Sequence, residues 1–400
     1  MINSILSRDR LLSVLNLEKP DYIPCCFMIF YALRKQCKDE FEFIERQLEL
    51  GIDVRVNLPE FGLNFHPDVS INEWKDHPNG EKFPHIHREY TTPKGALSTA
   101  VKLTEDWPYG ERVPLFDDFV APRAVKYLVT EQDDLEKLKY LLLPPDDDNI
   151  IIFREEARKL KKTAVEKGLL VCGGWNSWFQ KKGEEIDGGD YGAMGVDALM
   201  WLCGPSNPIY WAFDRPDFLK ELIQMIHQWN IKRIEIYLDE GVDLIIRRAW
   251  YESTDFWSPA LYRKFIVPVL QKEIDMVHQA GAKFGYISTS GIMPLVDDYV
   301  NLGIDVLIGV DPLLGKGADI KTLKKKADGK FCLWGGVNGH ITIEMGTESD
   351  IENSIEKSMQ ILAQNSGFIL SPVDNVSDDS EETWNNVNTF INTWKELRYI

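Results

Sequence analysis

The second half of the chain alternates short apolar, β-branched runs with longer segments of helical period, the pattern of parallel βα units. Asp243 to Trp250, Lys283 to Thr289, Asp305 to Asp311, Lys330 to Gly336 and Gly367 to Asp374 read as strands. The helices between them carry their own punctuation. Ser258 and Pro259 supply an N-cap and a first helical residue, Gly281 a stop, and Leu261, Phe265 and Val269 an apolar stripe that Pro268 should kink. Thr347 and Asp350 mark the start of a later helix, whose stripe is Ile351, Ile355, Met359 and Leu362. Ile23 to Phe30, Asp53 to Leu58 and Leu169 to Gly173 are the earlier strand candidates, which brings the expected number to eight. Eight parallel strands with intervening helices favour a closed (β/α)8 TIM barrel, with an N-terminal helical extension, over an open doubly wound sheet. The lack of a GxGxxG after the first strand removes the usual dinucleotide alternative.

Residues 1–400 are expected to form a single domain of this α/β class, with an insertion at about 62–165 between the second and third strands. That insertion is too long for a plain loop. His87 to Lys102 reads as a β-hairpin turning at Pro93-Lys94-Gly95, and residues 131–150 as a helix and a surface connection.

A net charge of −18 works against a nucleic acid partner, because phosphate binding draws on clustered Lys and Arg. The one short basic run, Lys324 to Lys326, reads as the solvated face of a helix. Cys25, Cys26, Cys37, Cys172, Cys203 and Cys332 form neither a CxxC pair nor a zinc-finger spacing, so reduced, buried thiols are expected. Charges at Arg8, Asp9 and Arg10 interrupt any signal-peptide core, and no run is long enough to span a bilayer. A cytoplasmic protein is therefore expected, without a membrane partner; a homodimer is compatible with the sequence. Twelve Trp residues are enough to wall a pocket for a flat or bulky apolar ligand, and equally enough to serve as ordinary core.

In a barrel of this kind the reactive groups follow the strands, because those loops converge on one mouth. The candidates are Asn57, Glu60 and Phe61, then Trp175, Asn176 and Trp178, then Trp250, Tyr251, Glu252 and Asp255. Tyr286 and Ser288, Asp311, Asn338 and His340, and Asp374 and Asn375 follow the later strands. Carboxylates at strand ends can share a cation, or one can be held protonated by desolvation and act as a general acid. His340 sits in a Gly-rich turn, where a solvated histidine is the ordinary outcome. Arg247 and Arg248 are adjacent, so one should face the interior and the other the helices. An inward Arg247 would suit an anionic substrate group, or it would pair with a carboxylate in the core.

Several segments, in order and at spacing, carry a family resemblance: RLLSVLNLEKPDYIP, EGVDLIIRRAW followed by SPALYRKFIVPVL, HQAGAKFGYISTSG, WGGVNG and GFILSPVDNV. From Arg10 to nearly its end the chain resembles the uroporphyrinogen decarboxylase superfamily, which independently implies the barrel. That superfamily contains decarboxylases and corrinoid-dependent methyltransferases, so fold alone does not choose between them. True decarboxylases carry an Arg-Gln-Ala-Gly-Arg segment after the first strand to hold porphyrinogen carboxylates; here the region reads CCFMIFYALRKQC, without that clamp.

The family's corrinoid-to-thiol methyltransferases bind zinc through a His-x-Cys segment and a distant Cys, and the matching positions here are Tyr286, Ser288 and Asp374. Zinc ligands of that kind are absent, so a thiol acceptor such as coenzyme M is not expected, while another metal arrangement using Asp374, Glu252 or His340 stays open. The resemblance then implies the family's remaining role: a methyltransferase of the O-demethylase type, moving methyl from a small, methoxylated aromatic donor to a corrinoid (cobalamin) carried by a partner protein. The alternative is a decarboxylase-like lyase acting on a small carboxylic acid. On the leading reading Glu252, Asp374 and Tyr286 are the catalytic candidates. Trp175, Asn176, Trp178, Arg247, Trp250, Ser288 and His340 surround the donor. Replacing Glu252 or Asp374 by Ala is expected to abolish turnover with the fold intact.

Overall fold

The computed structural model describes residues 5–175, 194–314 and 318–399. Its main sheet consists of seven parallel strands, all in the order expected for successive βα units. They are β1 (Arg55–Asn57), β6 (Leu170–Gly173), β7 (Leu244–Arg248), β8 (Lys283–Ile287), β9 (Val306–Val310), β10 (Cys332–Asn338) and β11 (Phe368–Val373). Their spatial order is β1-β6-β7-β8-β9-β10-β11, so each strand after the first crossover lies beside its predecessor. Seven of the eight expected strands are thereby accounted for.

The eighth, Ile23 to Phe30, is not a regular strand. Cys25 and Ile29 make isolated parallel bridges to Leu370 and Asn375. On one side Leu370 N donates to Pro24 O at 2.9 Å and Cys26 N to Leu370 O at 3.0 Å; on the other, Asp53 N donates to Cys25 O at 2.7 Å. The segment thus touches the β11 side at two isolated bridges and the β1 side through the Asp53–Cys25 hydrogen bond. The sequence explains why the ladder stops there. Pro24 and Pro372 have no N–H to give, and the Met28 N–H goes to the Ser371 hydroxyl at 2.7 Å instead of a backbone carbonyl.

Side chains alternate across the main sheet. Leu244, Ile246, Ile287, Val306, Ile308, Cys332, Trp334 and Ile369 pack together on one face with Leu11, Val14 and Leu15 of the helix Ser7–Leu15. Ile245, Phe284, Tyr286, Leu307, Leu333 and Leu370 pack on the other, against the crossover helices. Both faces are covered, which is why the strands read as continuous apolar runs.

The helix start signals act as expected. Ser258 accepts the Leu261 N–H, and Thr347 and Asp350 form a reciprocal capping box. Pro268 is accommodated by a π-turn at Tyr262–Ile266 that leads into the helix Val267–Gln279.

A second sheet is antiparallel, in the order β2 (Ser70–Asp76), β3 (His85–Thr92), β4 (Gly95–Lys102) and β5 (Ala124–Lys126). It is built on the hairpin β3–β4, where Thr92 stands opposite Gly95. All six cysteines are unpaired, and five are buried. The basic run departs from expectation at Lys324, which is buried with its ammonium 2.6 Å from the Ser366 carbonyl; Lys326 pairs with Asp297 at the surface. Among the described residues no helix is long and apolar enough to cross a membrane.

Candidate functional site

Because the main strands are parallel, the residues that follow them lie along one edge of the sheet. Trp175 follows β6, Trp250 follows β7, Asp311 follows β9, Asp374 follows β11, and Asn57 and Asn338 end β1 and β10. Trp175 and Trp250 meet edge to face with centroids 5.6 Å apart. The Arg55 guanidinium lies 5.5 Å from the Trp175 ring and 5.4 Å from the Trp334 ring, held by the Asn57 amide oxygen at 3.0 Å and the Met28 carbonyl at 2.8 Å.

Arg248 is the second cation at this edge. It donates to both Asp118 oxygens at 2.7 and 2.9 Å and to Asp197 at 3.0 Å, and lies 4.7 Å from the Trp250 ring. Asp118 comes from the segment between β4 and β5 and also accepts the Tyr251 hydroxyl at 2.6 Å and the Trp201 indole N–H at 3.2 Å. Burial pushes the Asp118 carboxyl up, but Arg248 and these hydrogen bonds outweigh it and leave it below the usual range. Asp197 is fully buried and takes the backbone N–H groups of Trp250 and Tyr251 at 3.1 and 2.8 Å. Burial pushes Asp197 up to about 7, with Glu252 adding to the rise and Arg248 opposing it.

Asp374 is a second carboxyl at this edge held above its ordinary range. Burial raises it first, the Asp311 carboxylate raises it further, and the Trp250 indole and Arg248 oppose the rise without cancelling it. Its backbone is left-handed, with φ of 63°, a conformation Asp and Asn tolerate better than most residues. Asp311 is buried and committed: it accepts the Leu313 and Leu314 N–H groups at 2.7 and 3.0 Å and the Asn338 amide at 2.6 Å.

Glu252, Tyr286, Arg247 and Ser288 are placed elsewhere, which corrects their expected position at the mouth. Arg247 follows Ile246 on β7, so when Ile246 faces the inner cluster Arg247 faces the helices. There it donates to Glu252 at 2.7 Å and to Glu273, on the helix Val267–Gln279, at 2.5 Å. Glu273 also meets His227 at 3.0 Å and Asn230 at 3.1 Å, both on the helix Pro216–Asp239.

The Tyr286 hydroxyl donates to Glu252 at 2.6 Å and receives the Tyr262 hydroxyl at 3.2 Å. The other Glu252 oxygen takes the Val196 N–H at 2.7 Å. Burial, then the Glu252 charge, lifts the Tyr286 hydroxyl far above the usual tyrosine range, so it stays protonated with its proton already given. Burial also works to raise Glu273, but Arg247 and His227 prevail and hold it below the usual range. Ser288 lies on the same side, fully buried beside Tyr299.

This buried cluster explains a glycine. Gly195 has φ of 55°, and a Cβ there would fall 1.9 Å from Arg247 Nη2. Gly195→Ala is therefore expected to destabilise the fold by about 1–3 kcal/mol through overpacking and strain. Chemical denaturation compared with wild type measures it; an unchanged midpoint would show that the guanidinium moves aside freely.

His340 is exposed and bonded to Glu344 at 2.7 Å, away from the strand-edge groups. Asn176 and Trp178 lie outside the described residues. Of the ten expected site residues, the structure therefore brings together Trp175, Trp250 and Asp374. It adds Arg55, Arg248, Asp118 and Asp197 as charged groups that had not been singled out as site residues. The Arg247–Arg248 pair carried the signal for Arg248, because one of the two had to face inward. Asp118 had no signal, since it reaches the edge from the connection between β4 and β5, far from the parallel strands in sequence.

A zinc site at the family's positions does not fit. Tyr286 and Ser288 face the helices, on the other side of the sheet from the strand-edge residues, and neither is an ordinary zinc ligand. Glu252 and His340 do not join Asp374 either.

No curated protein matches the chain. Among solved structures, a methyltransferase from Methanosarcina mazei is similar over 98% of this chain and 99% of its own, at 17% identity and a TM-score of 0.57. A B12-independent methionine synthase from Shewanella sp. W3-18-1, in complex with selenomethionine, matches over 61% of this chain and 65% of its own, at 10% identity and a TM-score of 0.40. The uroporphyrinogen decarboxylase (URO-D) family model matches residues 197–397, which contain β7 to β11 with Arg248, Trp250 and Asp374. The chain belongs to the uroporphyrinogen decarboxylase family.

Proposed function

We propose that this protein is a methyltransferase that takes a methyl group from a small methoxylated aromatic donor and delivers it to a corrinoid protein. The observation that carries the reading is a carboxyl with a raised pKa, Asp374, set among indoles at the strand edge. A reduced corrinoid is a strong nucleophile, so this chain's task is to orient the donor and to ease departure of its oxygen. Trp175 and Trp250 offer flat faces to an aromatic ring, and Asp374 offers a proton to the ether oxygen as the O–CH3 bond breaks, leaving a phenol. Asp311 beside it adds to the rise that burial gives Asp374, which favours the acid form. The fold shared with the Methanosarcina mazei methyltransferase supports a methyl-transfer enzyme of this family.

The acidic edge weakens the polycarboxylate alternative. Asp118, Asp197, Asp311 and Asp374 stand against Arg248 and Arg55, and Arg248 is already engaged by two carboxylates. One feature favours a second reading, a lyase for a small carboxylic acid: Arg55 is held by neutral acceptors, Asn57 and the Met28 carbonyl, and could take a substrate carboxylate.

The test mixes the protein with a reduced corrinoid protein and a panel of methoxyarenes and methylamines. The expected result is the corrinoid absorbance change on methylation with a methoxyarene, together with release of the matching phenol. Silence across the panel would overturn the methyl-transfer reading, and carbon dioxide release from a small acid would establish the second.

A further inference from the structure

Three metal-ligating side chains meet on the antiparallel sheet, in a place that the strand-edge chemistry does not use. His85 and His87 are two residues apart on β3, so both imidazoles stand on one face. Asp76, the last residue of β2, pairs directly with His85, and Trp74 pairs with His87. One ligand atom from each of Asp76, His85 and His87 lies within 4.8 Å of the other two. The Trp74 ring is stacked flat on His87, with centroids 4.9 Å apart and planes 3° apart, which fixes the imidazole's orientation.

His85 supplies the independent sign of a missing ligand. It is only 8% exposed, and among the described residues its Nε2 has no hydrogen-bond partner. Buried polar atoms are nearly always satisfied, so this nitrogen asks for something the chain does not provide. Lys102, which stands opposite His85 on β4, would repel a cation, but its ammonium is drawn to Glu81 at 3.0 Å.

We propose that Asp76, His85 and His87 bind a divalent transition-metal ion of the zinc type. Ligands at about 2.0–2.1 Å from a tetrahedral ion are roughly 3.3 Å from one another. His87 Nε2 and Asp76 Oδ1, 3.0 Å apart, are already near that spacing, and the exposed Asp76 side chain is free to adjust toward His85. Two imidazoles with a single carboxylate select zinc, cobalt, nickel or copper over magnesium and calcium, which require shells of oxygen. Three protein ligands leave a fourth position for water or a small donor ligand.

Full-length protein stripped of metal is titrated with cobalt(II) as the probe, followed by its visible absorption, with zinc(II) added in competition. The expected result is one equivalent bound with a tetrahedral spectrum, displaced by zinc. His87→Ala and Asp76→Asn each weaken binding about tenfold or more. Both positions are at least partly exposed, so these variants should fold; circular dichroism checks that, and His85→Ala is read only if it folds too. The proposal is overturned if wild type binds neither ion, or if His87→Ala and Asp76→Asn bind cobalt as wild type does, which would mean adventitious binding elsewhere.

Discussion

Asp374→Asn is expected to lower methyl transfer about 10²- to 10⁴-fold while leaving the fold intact, the range associated with losing a general acid. Asparagine is the informative replacement. It keeps the shape and tolerates the left-handed backbone at this position, whereas Ala would add strain to the loss of the proton. The pH dependence has a definite sign. An acid catalyst works below its own pKa, so wild-type activity should fall on the alkaline side as Asp374 loses its proton. Its burial and the nearby Asp311 carboxylate move that fall above the ordinary carboxylate range. The Asn variant should lose this limb of the profile along with the rate. Steady-state and single-turnover rates across pH check both effects; an Asn variant with wild-type rates would remove Asp374 from the mechanism.

The second large effect concerns stability. Glu252→Ala, or Arg247→Met, is expected to cost about 3–5 kcal/mol, because each takes one ion-pair partner away from a fully buried charge. The loss of Glu252 would leave Arg247 with Glu273 alone and strand the Tyr286 O–H and the Val196 N–H. Urea denaturation measures the cost, and activity per folded molecule separates it from catalysis. This expectation replaces the earlier one, in which Glu252→Ala kept the fold and abolished turnover. If Glu252→Ala kept wild-type stability and lost turnover, Glu252 would return to the mechanism.

The pairing of Arg247 with two carboxylates also bears on why the site was only partly legible. In a half-exposed strand the polar face is the solvent face, and alternation alone reveals direction. Here both faces are buried. IIRR at the end of β7 therefore left two assignments open, one arginine to each side, and nothing local distinguished them. The same ambiguity applied to Tyr286, which the strand-end rule put at the mouth although its parity with Phe284 turns it toward the helices. His340 differs: the Gly-rich turn after β10 leaves it solvated, the ordinary outcome for such a turn, and so it does not surround a donor at the strand edge.

Local chemistry was enough to set the βα alternation, the Ser258 cap, the Thr347–Asp350 capping box, the β3–β4 hairpin and the strand ends where Trp175, Trp250, Asp311 and Asp374 stand, because each depends on neighbours a few residues away. Which face each strand residue occupies, whether Ile23 to Phe30 becomes a strand, and the arrival of Asp118 beside Arg248 were decided only by tertiary packing. Those outcomes depend on partners far away in the chain: on helices that offer Glu273 and His227 to one side of the sheet, and on Ser371 and Pro372 that deny Met28 a regular ladder. A buried charge goes where its counter-charge is, and no spacing along the chain records that position.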